Sequence, residues 1–385
     1  MNLLYLTEDY LHSKVHNNLI IHMLENKPDL KVYVFVPLRP RVGETLVNNF
    51  KEHERLVLVT VPIDISFNRY RVDFWAKIRC KIRLIEKYIP INEIDVIHAA
   101  TLFTEGCTAK GLQKKYNIPF LVSIRGTDSD FYAKNMVHLW PISYGVIKHA
   151  NVLAYITPNI KQSLMERWQY RGLKEKLKTG IVINNGIDDI WLNNIYRAQH
   201  TIGDTIRILY IGRFDSNKNV IRLIEAVKIL HKDINVSLTL IGGDGEEQSS
   251  VEQQINKHSD YMEYLGKIYD KQKLIQIARN SDIFAMISHG ETFGLVYAEC
   301  LTQGLPLLYT SKTGFDGMYP QGYVGYSVNS YNVESIVDGL SNVIANYDSI
   351  RNNILSLDYN RYDWNSIAKH YVSLYSSIIN SNSND

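Results

Sequence analysis

The chain has few cysteines and no long apolar run, and both features argue against particular classes of protein. Its 385 residues include three cysteines, Cys80, Cys107 and Cys300, and no Cys-x-x-Cys pair. This argues against a disulfide framework or a zinc site and is typical of a reducing compartment. No apolar run reaches the roughly 18 residues of a membrane-spanning helix. The N-terminus soon meets Glu8 and Asp9, which is not typical of a signal peptide. We therefore expect a cytoplasmic protein.

Charge is also unevenly distributed along the chain. Residues 1–200 hold 27 Lys and Arg against 19 Asp and Glu, whereas residues 201–385 hold 15 against 21. The net charge of +2 hides this asymmetry, which suggests two domains with different partners. The length allows two full cores, and a hydrophobic content of 45% is ordinary for a globular protein.

Short apolar runs, typical of buried parallel strands, alternate with helical stretches. These runs are 3–6, 32–36, 56–59, 95–98, 120–124, 152–156, 206–211, 236–241, 282–288 and 306–309. Such alternation predicts an α/β protein with two doubly wound, Rossmann-like domains facing a cleft. Ligands of such domains bind at the carboxyl ends of the strands.

The segment 289–299 holds Glu291 and Glu299, eight positions apart, around a glycine-bearing turn. The apolar run 282–288 before it predicts a strand, and the spacing from Leu295 onward predicts a helix. A helix N-terminus offers unpaired backbone N–H groups and partial positive charge. The segment therefore suits an anion such as a diphosphate.

This pattern resembles the Glu-x7-Glu motif of the retaining glycosyltransferases of family 4, which have the GT-B fold. Other segments are similar to that family in the same order: Gly-Arg…Lys at 212–218, a glycine-rich loop at 242–245, and Tyr-Leu-Gly-Lys at 264–267. The resemblance covers most of the second half of the chain and, more loosely, the first half.

The resemblance implies roles for particular residues. Glu291 would lie beside the donor sugar, and Glu299 would bind ribose hydroxyls. Arg213 and Lys218 would hold the diphosphate, whose negative charge grows as the sugar bond breaks. The donor-binding set it implies is Arg213, Lys218, Gly243, Lys267, Phe293, Gly294, Leu295 and Glu299.

The resemblance also divides the chain. Asn185-Gly186-Ile187-Asp188 is similar to the segment that closes the family's first domain. It implies an acceptor-binding domain at 1–186, a nucleotide-sugar-binding domain at 187–363, and a last segment, 364–385, whose helix returns to the first domain. No cofactor is implied, since the nucleotide-sugar is a substrate.

The acceptor side departs from the family pattern. The segment 122–128 is similar to a loop in which many relatives have His-Gly, but this chain has Arg125, which stays charged and suits an anion or transition-state clamp. The family's N-terminal glycine-rich loop is missing. Its place leaves Lys14 and His16 as acceptor-side candidates beside Asp128.

Two further patterns allow alternatives. Asp128-Ser129-Asp130 spells the Asp-x-Asp of metal-dependent GT-A enzymes, but the second-half motifs have no place in that fold, so we expect no metal. The stretch 69–87 is basic and amphipathic, with Phe74, Ile78, Ile82 and Ile85 on one face. It predicts either a core-packed helix with a solvated basic face or contact with anionic lipid headgroups.

The sequence is therefore interpreted as a metal-independent retaining hexosyltransferase of polysaccharide biosynthesis. It would use a nucleotide-sugar, with UDP preferred, and a glycan or lipid-linked acceptor, without a nucleic-acid partner. A peripheral place on the inner membrane face is an option. The alternative is a non-catalytic GT-B subunit that binds a glycan or protein partner, which Arg125 and the absent glycine-rich loop motivate.

Overall fold

A computed structural model describes residues 1–38, 50–63 and 73–382. The chain divides into two compact units. The first comprises Met1–Gly186 with Asn360–Asp385, and the second comprises Ile187–Tyr359. The second unit is therefore an insertion within the sequence of the first.

The first unit is built on a parallel sheet of seven strands in the order β3-β2-β1-β4-β5-β6-β7. The strands are β1 Asn2–Leu6, β2 Lys31–Leu38, β3 Leu56–Pro62, β4 Val96–Ala99, β5 Phe120–Ile124, β6 Val152–Tyr155 and β7 Ile181–Val182. The α-helices described before residue 187 are α1 Lys14–Asn26, α2 Phe74–Tyr88, α3 Thr104–Tyr116, α4 Ala133–Asn135, α5 Trp140–His149, α6 Pro158–Glu166 and α7 Lys174–Thr179.

The second unit is built on a parallel sheet of six strands in the order β10-β9-β8-β11-β12-β13. The strands are β8 Ile206–Gly212, β9 Val236–Gly242, β10 Met262–Tyr264, β11 Ile283–Ala285, β12 Leu307–Thr310 and β13 Gly325–Val328. Its α-helices are α8 Asp189–Leu192, α9 Val220–Leu230, α10 Gln248–Lys257, α11 Lys271–Arg279, α12 Leu295–Thr302, α13 Val333–Ala345 and α14 Tyr347–Leu355.

Both sheets have the reversed strand order of doubly wound folds, which confirms the predicted fold class. The central strands are buried on both faces, so they are mostly apolar rather than apolar only at alternate positions: every residue of 120–124 is buried, and Ser123 is the one polar residue among them. The predicted runs fall on strands. The pattern missed three strands, β7, β10 and β13. The first has only two residues, and the other two contain Glu263 and Ser327, so none forms an apolar run.

The last helix, α15 Trp364–Asn382, belongs to the core of the first unit. Trp364, Tyr371 and Tyr375 are buried there together with Leu3 and other residues of β1 and α1. This unit also takes in residues 360–363, which the sequence pattern assigned to the preceding domain. Among the described residues, no helix combines the length and apolar character needed to cross a bilayer.

Most of the basic stretch 69–87 forms helix α2, whereas residues 69–72 of that stretch lie outside the described residues. Its apolar face packs inward, since Ile78 and Ile85 are buried. The expectation of a wholly solvated basic face is wrong for two cations. Lys81 Nζ lies 2.6 Å from Glu8 Oε1 and 3.0 Å from Glu105 Oε1, and Lys77 Nζ lies 3.1 Å from Glu8 Oε1.

Candidate active site

Two predicted residues meet at the carboxyl edge of the second sheet. Lys218 follows β8, Glu291 follows β11, and these strands are neighbours in the sheet. Lys218 Nζ lies 2.7 Å from Glu291 Oε2 in a half-buried ion pair. The loops that carry the two residues are thus brought together although 73 positions separate them.

Asn217 fastens these two loops to each other through the backbone. Its Nδ2 donates to Gly290 O at 3.0 Å, and its Oδ1 accepts from Gly290 N at 3.0 Å. The amide of His289 also donates to Asn217 O at 2.7 Å. No motif in the sequence predicts this contact of Asn217. The residue could have been suspected only because it precedes Lys218, since a sequence does not show which backbone groups a side chain will bind.

The turn between Glu291 and α12 has little room for side chains. Gly294 has a φ of +75°, which favours glycine, and a Cβ there would lie 2.5 Å from Tyr297. It caps α12 without a side-chain hydrogen bond. The amides of Leu295 and Val296 are therefore left for another acceptor, as at anion-binding helix starts. Phe293 is buried in this turn.

The glycine-rich loop after β9 also has constrained backbone. Gly242 and Gly243 have φ of +129° and +125°. A Cβ on Gly245 would lie 2.0 Å from Phe214 O, so only glycine allows this loop to pack on the Arg213 loop. Lys267 forms an ion pair with Asp244 at this edge.

In the described part of the chain, the side chains of Arg213 and Glu299 make no hydrogen bond or ion pair with Lys218 or Glu291. The Arg213 side chain is 65% exposed, and its Nε lies 3.4 Å from Asp215 Oδ2. Glu299 is half-buried, and its side chain has no hydrogen bond to any described residue. Burial raises the pKa of Glu299 to about 7; Lys271 opposes this and Asp188 adds to it. Lys271 and Asp188 pair with each other.

In the first unit, Arg125 and Asp128 lie together after β5. Asp128 Oδ2 accepts from Arg125 N at 2.9 Å, and Asp128 Oδ1 accepts from Leu102 N at 3.1 Å. Arg125 Nε donates to Ala100 O at 3.0 Å. Burial raises the pKa of Asp128 to about 7. Both oxygens of Asp128 thus hold backbone, which gives this carboxyl a structural task that the Asp-x-Asp pattern did not indicate.

Arg125 and Asp128 line a pocket of about 290 Å³ together with Glu8, Asp9 and Tyr132. The two N-terminal candidates differ from each other. Lys14 is exposed at the start of α1. His16 is not a surface residue: it is 3% exposed, and its Nδ1 lies 2.8 Å from the hydroxyl of Tyr5. Burial, with the charge of Arg125, holds the pKa of His16 well below its usual range, so this imidazole is neutral.

Residues 193–356 match the family model of glycosyl transferases group 1. An uncharacterised glycosyltransferase of Methanocaldococcus jannaschii is 26% identical over 255 residues, which is 66% of each chain. A phosphatidyl-myo-inositol mannosyltransferase of Mycobacterium leprae is 25% identical over 57% of this chain. The matched regions span 66% and 59% of the lengths of these two relatives.

Solved structures share the fold over nearly the whole chain. Sucrose-phosphate synthase from Thermosynechococcus elongatus has a TM-score of 0.71 at 16% identity and covers 99% of this chain and 100% of its own. The Anabaena protein HepE, solved in complex with UDP, has a TM-score of 0.68 at 15% identity over 98% of this chain and 100% of its own. These neighbours assign the GT-B fold.

Proposed function

We propose that this protein is a retaining glycosyltransferase that moves a hexose from a nucleotide-sugar, with UDP preferred, to a glycan or lipid-linked acceptor without a metal ion. The observation that carries the proposal is the Lys218–Glu291 pair at 2.7 Å. It lies beside the uncapped start of α12, within the region that matches the group 1 glycosyl transferases. The UDP in the HepE structure supports the choice of nucleotide.

In this proposal the second unit binds the donor. The amides at the start of α12, with Lys218 and Arg213, would neutralise the diphosphate as the bond from the sugar to its oxygen breaks. Fixed cations would thereby supply the charge that a metal supplies in other enzymes. Glu299 would accept hydrogen bonds from the ribose, and the Gly243 and Lys267 region would lie near the base.

Transfer then needs one proton movement. The acceptor hydroxyl would attack the anomeric carbon on the face that the diphosphate leaves, and the leaving diphosphate oxygen would take the hydroxyl proton. Glu291, next to Lys218, would hold the sugar in place for this step. On the acceptor side, Arg125 would stabilise negative charge in the pocket it shares with Asp128.

The test is hydrolysis and transfer against a panel of UDP-hexoses and GDP-hexoses. We expect slow hydrolysis of at least one UDP-hexose, with the sugar released as the same anomer that the donor carries. Nuclear magnetic resonance spectra recorded early in the reaction distinguish the anomers. Binding of UDP without turnover of any donor would favour the non-catalytic subunit instead, and release of the opposite anomer would reject retention.

A further inference from the structure

The second unit has a pocket whose lining contains none of the proposed donor-binding residues. It has a volume of about 510 Å³, and its lining includes Arg222, Glu225, Glu247 and His289 but neither Lys218 nor Glu291. Arg222 and Glu225 lie on α9, Glu247 precedes α10, and His289 follows β11. None of these four residues has a part in the proposed transfer.

Arg222 is held in this pocket by uncharged groups. Its Nη1 donates to Asn219 Oδ1 at 2.8 Å and lies 3.3 Å from His289 Nε2. It makes no ion pair with a carboxylate among residues 1–38, 50–63 and 73–382. The guanidinium is thus fixed in position, while its remaining N–H groups are available to a ligand.

Glu247 supplies an acceptor in the same pocket. Its Oε2 is buried, yet it has no hydrogen-bond partner in the described part of the chain. Burial, together with Glu246 and Asp215, raises the pKa of Glu247. A buried carboxylate oxygen without a donor costs free energy, and a ligand that donates a hydrogen bond would recover it.

An aromatic pair adjoins the pocket through His289, which lines it, whereas Tyr331 lies outside the lining. The ring of Tyr331 stacks on that of His289, with centroids 4.2 Å apart and planes at 14°. His289 is fixed in turn, because its Nδ1 lies 3.0 Å from Ser330 Oγ. Tyr331 is 69% exposed, so the other face of its ring is open to a ligand.

These groups together specify the chemistry of the ligand. Two carboxylates, Glu225 and Glu247, stand against one cation, Arg222, so an anion would be repelled. A hydroxyl both donates and accepts, and neighbouring hydroxyls on one ring can satisfy Glu247 and Arg222 together. The C–H face of the same ring can pack on Tyr331, whose face is weakly negative. An uncharged sugar ring combines all of these properties.

We propose that this pocket is a second, non-catalytic carbohydrate site that binds an uncharged sugar unit between Arg222, Glu247 and Tyr331. The proposal goes beyond the transfer reaction and does not depend on it. A protein that held a glycan here would keep it attached between catalytic events. The Asn217 and His289 contacts join this pocket to the loop of Glu291.

The test is ligand-observed saturation-transfer nuclear magnetic resonance on the full chain. The probes are methyl glycosides of glucose, galactose, mannose and N-acetylglucosamine. Each is measured first alone and then with saturating UDP, which occupies the proposed donor site. Inorganic phosphate, which has no C–H protons to observe, is added as an anionic competitor. We expect at least one glycoside to bind with and without UDP, and phosphate not to displace it.

Three variants address the pocket and one serves as control. Glu247→Gln and Arg222→Met each remove a charge-assisted hydrogen bond and should weaken the glycoside about tenfold. Tyr331→Ala should weaken it roughly threefold or more. Tyr269→Ala, which removes a tyrosine that is 84% exposed elsewhere in the same unit, should change nothing.

Several results would overturn the proposal. These are the absence of binding for every glycoside, loss of binding when UDP is added, displacement of the glycoside by phosphate, or equal affinity in Tyr331→Ala and Tyr269→Ala. Because Tyr331 is exposed, its variant should fold even if a substitution of Glu247 does not. Since no readout is an activity, failure of the proposed transfer would leave this test intact.

Discussion

Glu291 lies where three features of the second unit converge: the Lys218 ammonium, the Asn217 contacts and the start of α12. If it positions the sugar, Glu291→Ala should lower turnover by about 100-fold or more, the scale for loss of one positioned polar contact to a transition state. Initial rates with the best donor from the panel measure this. Glu334→Ala, on an exposed position of α13, is the matched control. Near-normal turnover of a folded Glu291→Ala protein would remove this role.

Lys218 and Arg213 differ in setting although both are proposed to bind the diphosphate. Lys218 is held by Glu291, whereas Arg213 is largely exposed. Lys218→Met and Arg213→Met should each weaken UDP binding about tenfold, since each loses a charge-assisted hydrogen bond. Calorimetric titration gives the dissociation constants, and Lys232→Met, an exposed lysine of the same unit, controls for net charge. Affinity equal to that of the control would exclude contact with the diphosphate.

Glu299 provides a pH dependence with a defined sign. Burial raises its pKa to about 7, so the free carboxyl is mostly protonated below that pH. A carboxylate accepts hydrogen bonds from ribose more strongly than the neutral acid. Affinity for a UDP-hexose, whose diphosphate does not titrate here, should therefore rise several-fold from about pH 6 to about pH 8. The Glu299→Gln protein should show a flat profile; a slope equal to that of the unchanged protein would assign the titration elsewhere.

The raised pKa of Glu299 has the opposite effect on the pH dependence of folding stability. Glu299 binds a proton more tightly in the native state, where its pKa is about 7, than in the unfolded chain, where its pKa has the usual lower value of a glutamate. Between these two pKa values the native state carries more bound proton than the unfolded chain. Its contribution to the free energy of unfolding therefore falls as pH rises through that window. Donor binding and stability thus respond to pH in opposite directions at this position.

At the scale of elements, α2 is fastened to the first unit by a buried ion cluster. Lys81 bridges Glu8, after β1, and Glu105, on α3. Although burial opposes it, these two carboxylates hold the pKa of Lys81 above its usual value. Lys81→Met should lower the free energy of unfolding by about 3–5 kcal/mol, because it leaves two buried carboxylates with less compensation.

Urea denaturation at neutral pH measures this loss. Arg79→Met is the control, since it removes an exposed cation from the same helix and should stay within about 0.5 kcal/mol. Equal midpoints for the two variants would show that the buried cluster contributes nothing net.

Burial of Lys77 and Lys81 reduces the surface charge that α2 can offer to a membrane. Arg79, Arg83 and Lys87 remain exposed on it. Each cation near an anionic bilayer is worth about 1 kcal/mol. If this helix binds the membrane, changing those three residues to Gln should reduce sedimentation with anionic vesicles to the level seen with neutral ones. Equal recovery of both proteins at low and high salt would leave α2 as a packing element only.

How far the sequence predicts these elements depends on the range of the interactions. Runs such as 120–124 can be recognised in the sequence because burial on both faces makes nearly every position apolar. The partners of Lys81 lie 73 and 24 positions away, so no local pattern separates it from the exposed Arg79 beside it. For the same reason the sequence did not show that His16 is buried: its hydrogen-bond partner Tyr5 lies on β1, and His98 and Arg125, which help to lower its pKa, lie on β4 and after β5.

At the scale of the whole molecule, the sequence predicted two doubly wound units. It gave Lys218 and Glu291 roles at one donor site only through the family resemblance, and it did not predict the ion pair between them. It did not predict the pocket of Arg222, Glu247 and His289. Those residues lie on or beside three different elements, and only His289 falls within a segment, 289–299, that resembles a family motif. Residues that only the fold brings together, from distant places in the sequence, show no characteristic spacing by which the pocket could be predicted.

At the same scale, the proposed transfer should not require a divalent cation if Lys218 and Arg213 neutralise the diphosphate. Both oxygens of Asp128 accept from backbone amides, which leaves the Asp-x-Asp pair poorly placed to hold a metal. We expect turnover to persist in excess EDTA within about twofold. Rates before and after chelation, and after addition of Mn²⁺, measure this. Loss on chelation with recovery in Mn²⁺ would contradict the prediction.

The return of α15 to the first unit has a consequence for protein synthesis. A ribosome makes residues 187–359 before it makes Trp364, Tyr371 and Tyr375, which fill the core around Leu3. The inserted unit can therefore fold while the earlier one still lacks part of its interior. During that interval the apolar surface that α15 covers is open to chaperones and to aggregation. Slow translation of the codons after residue 359 would lengthen the interval, so the yield of this protein should depend on its synthesis rate.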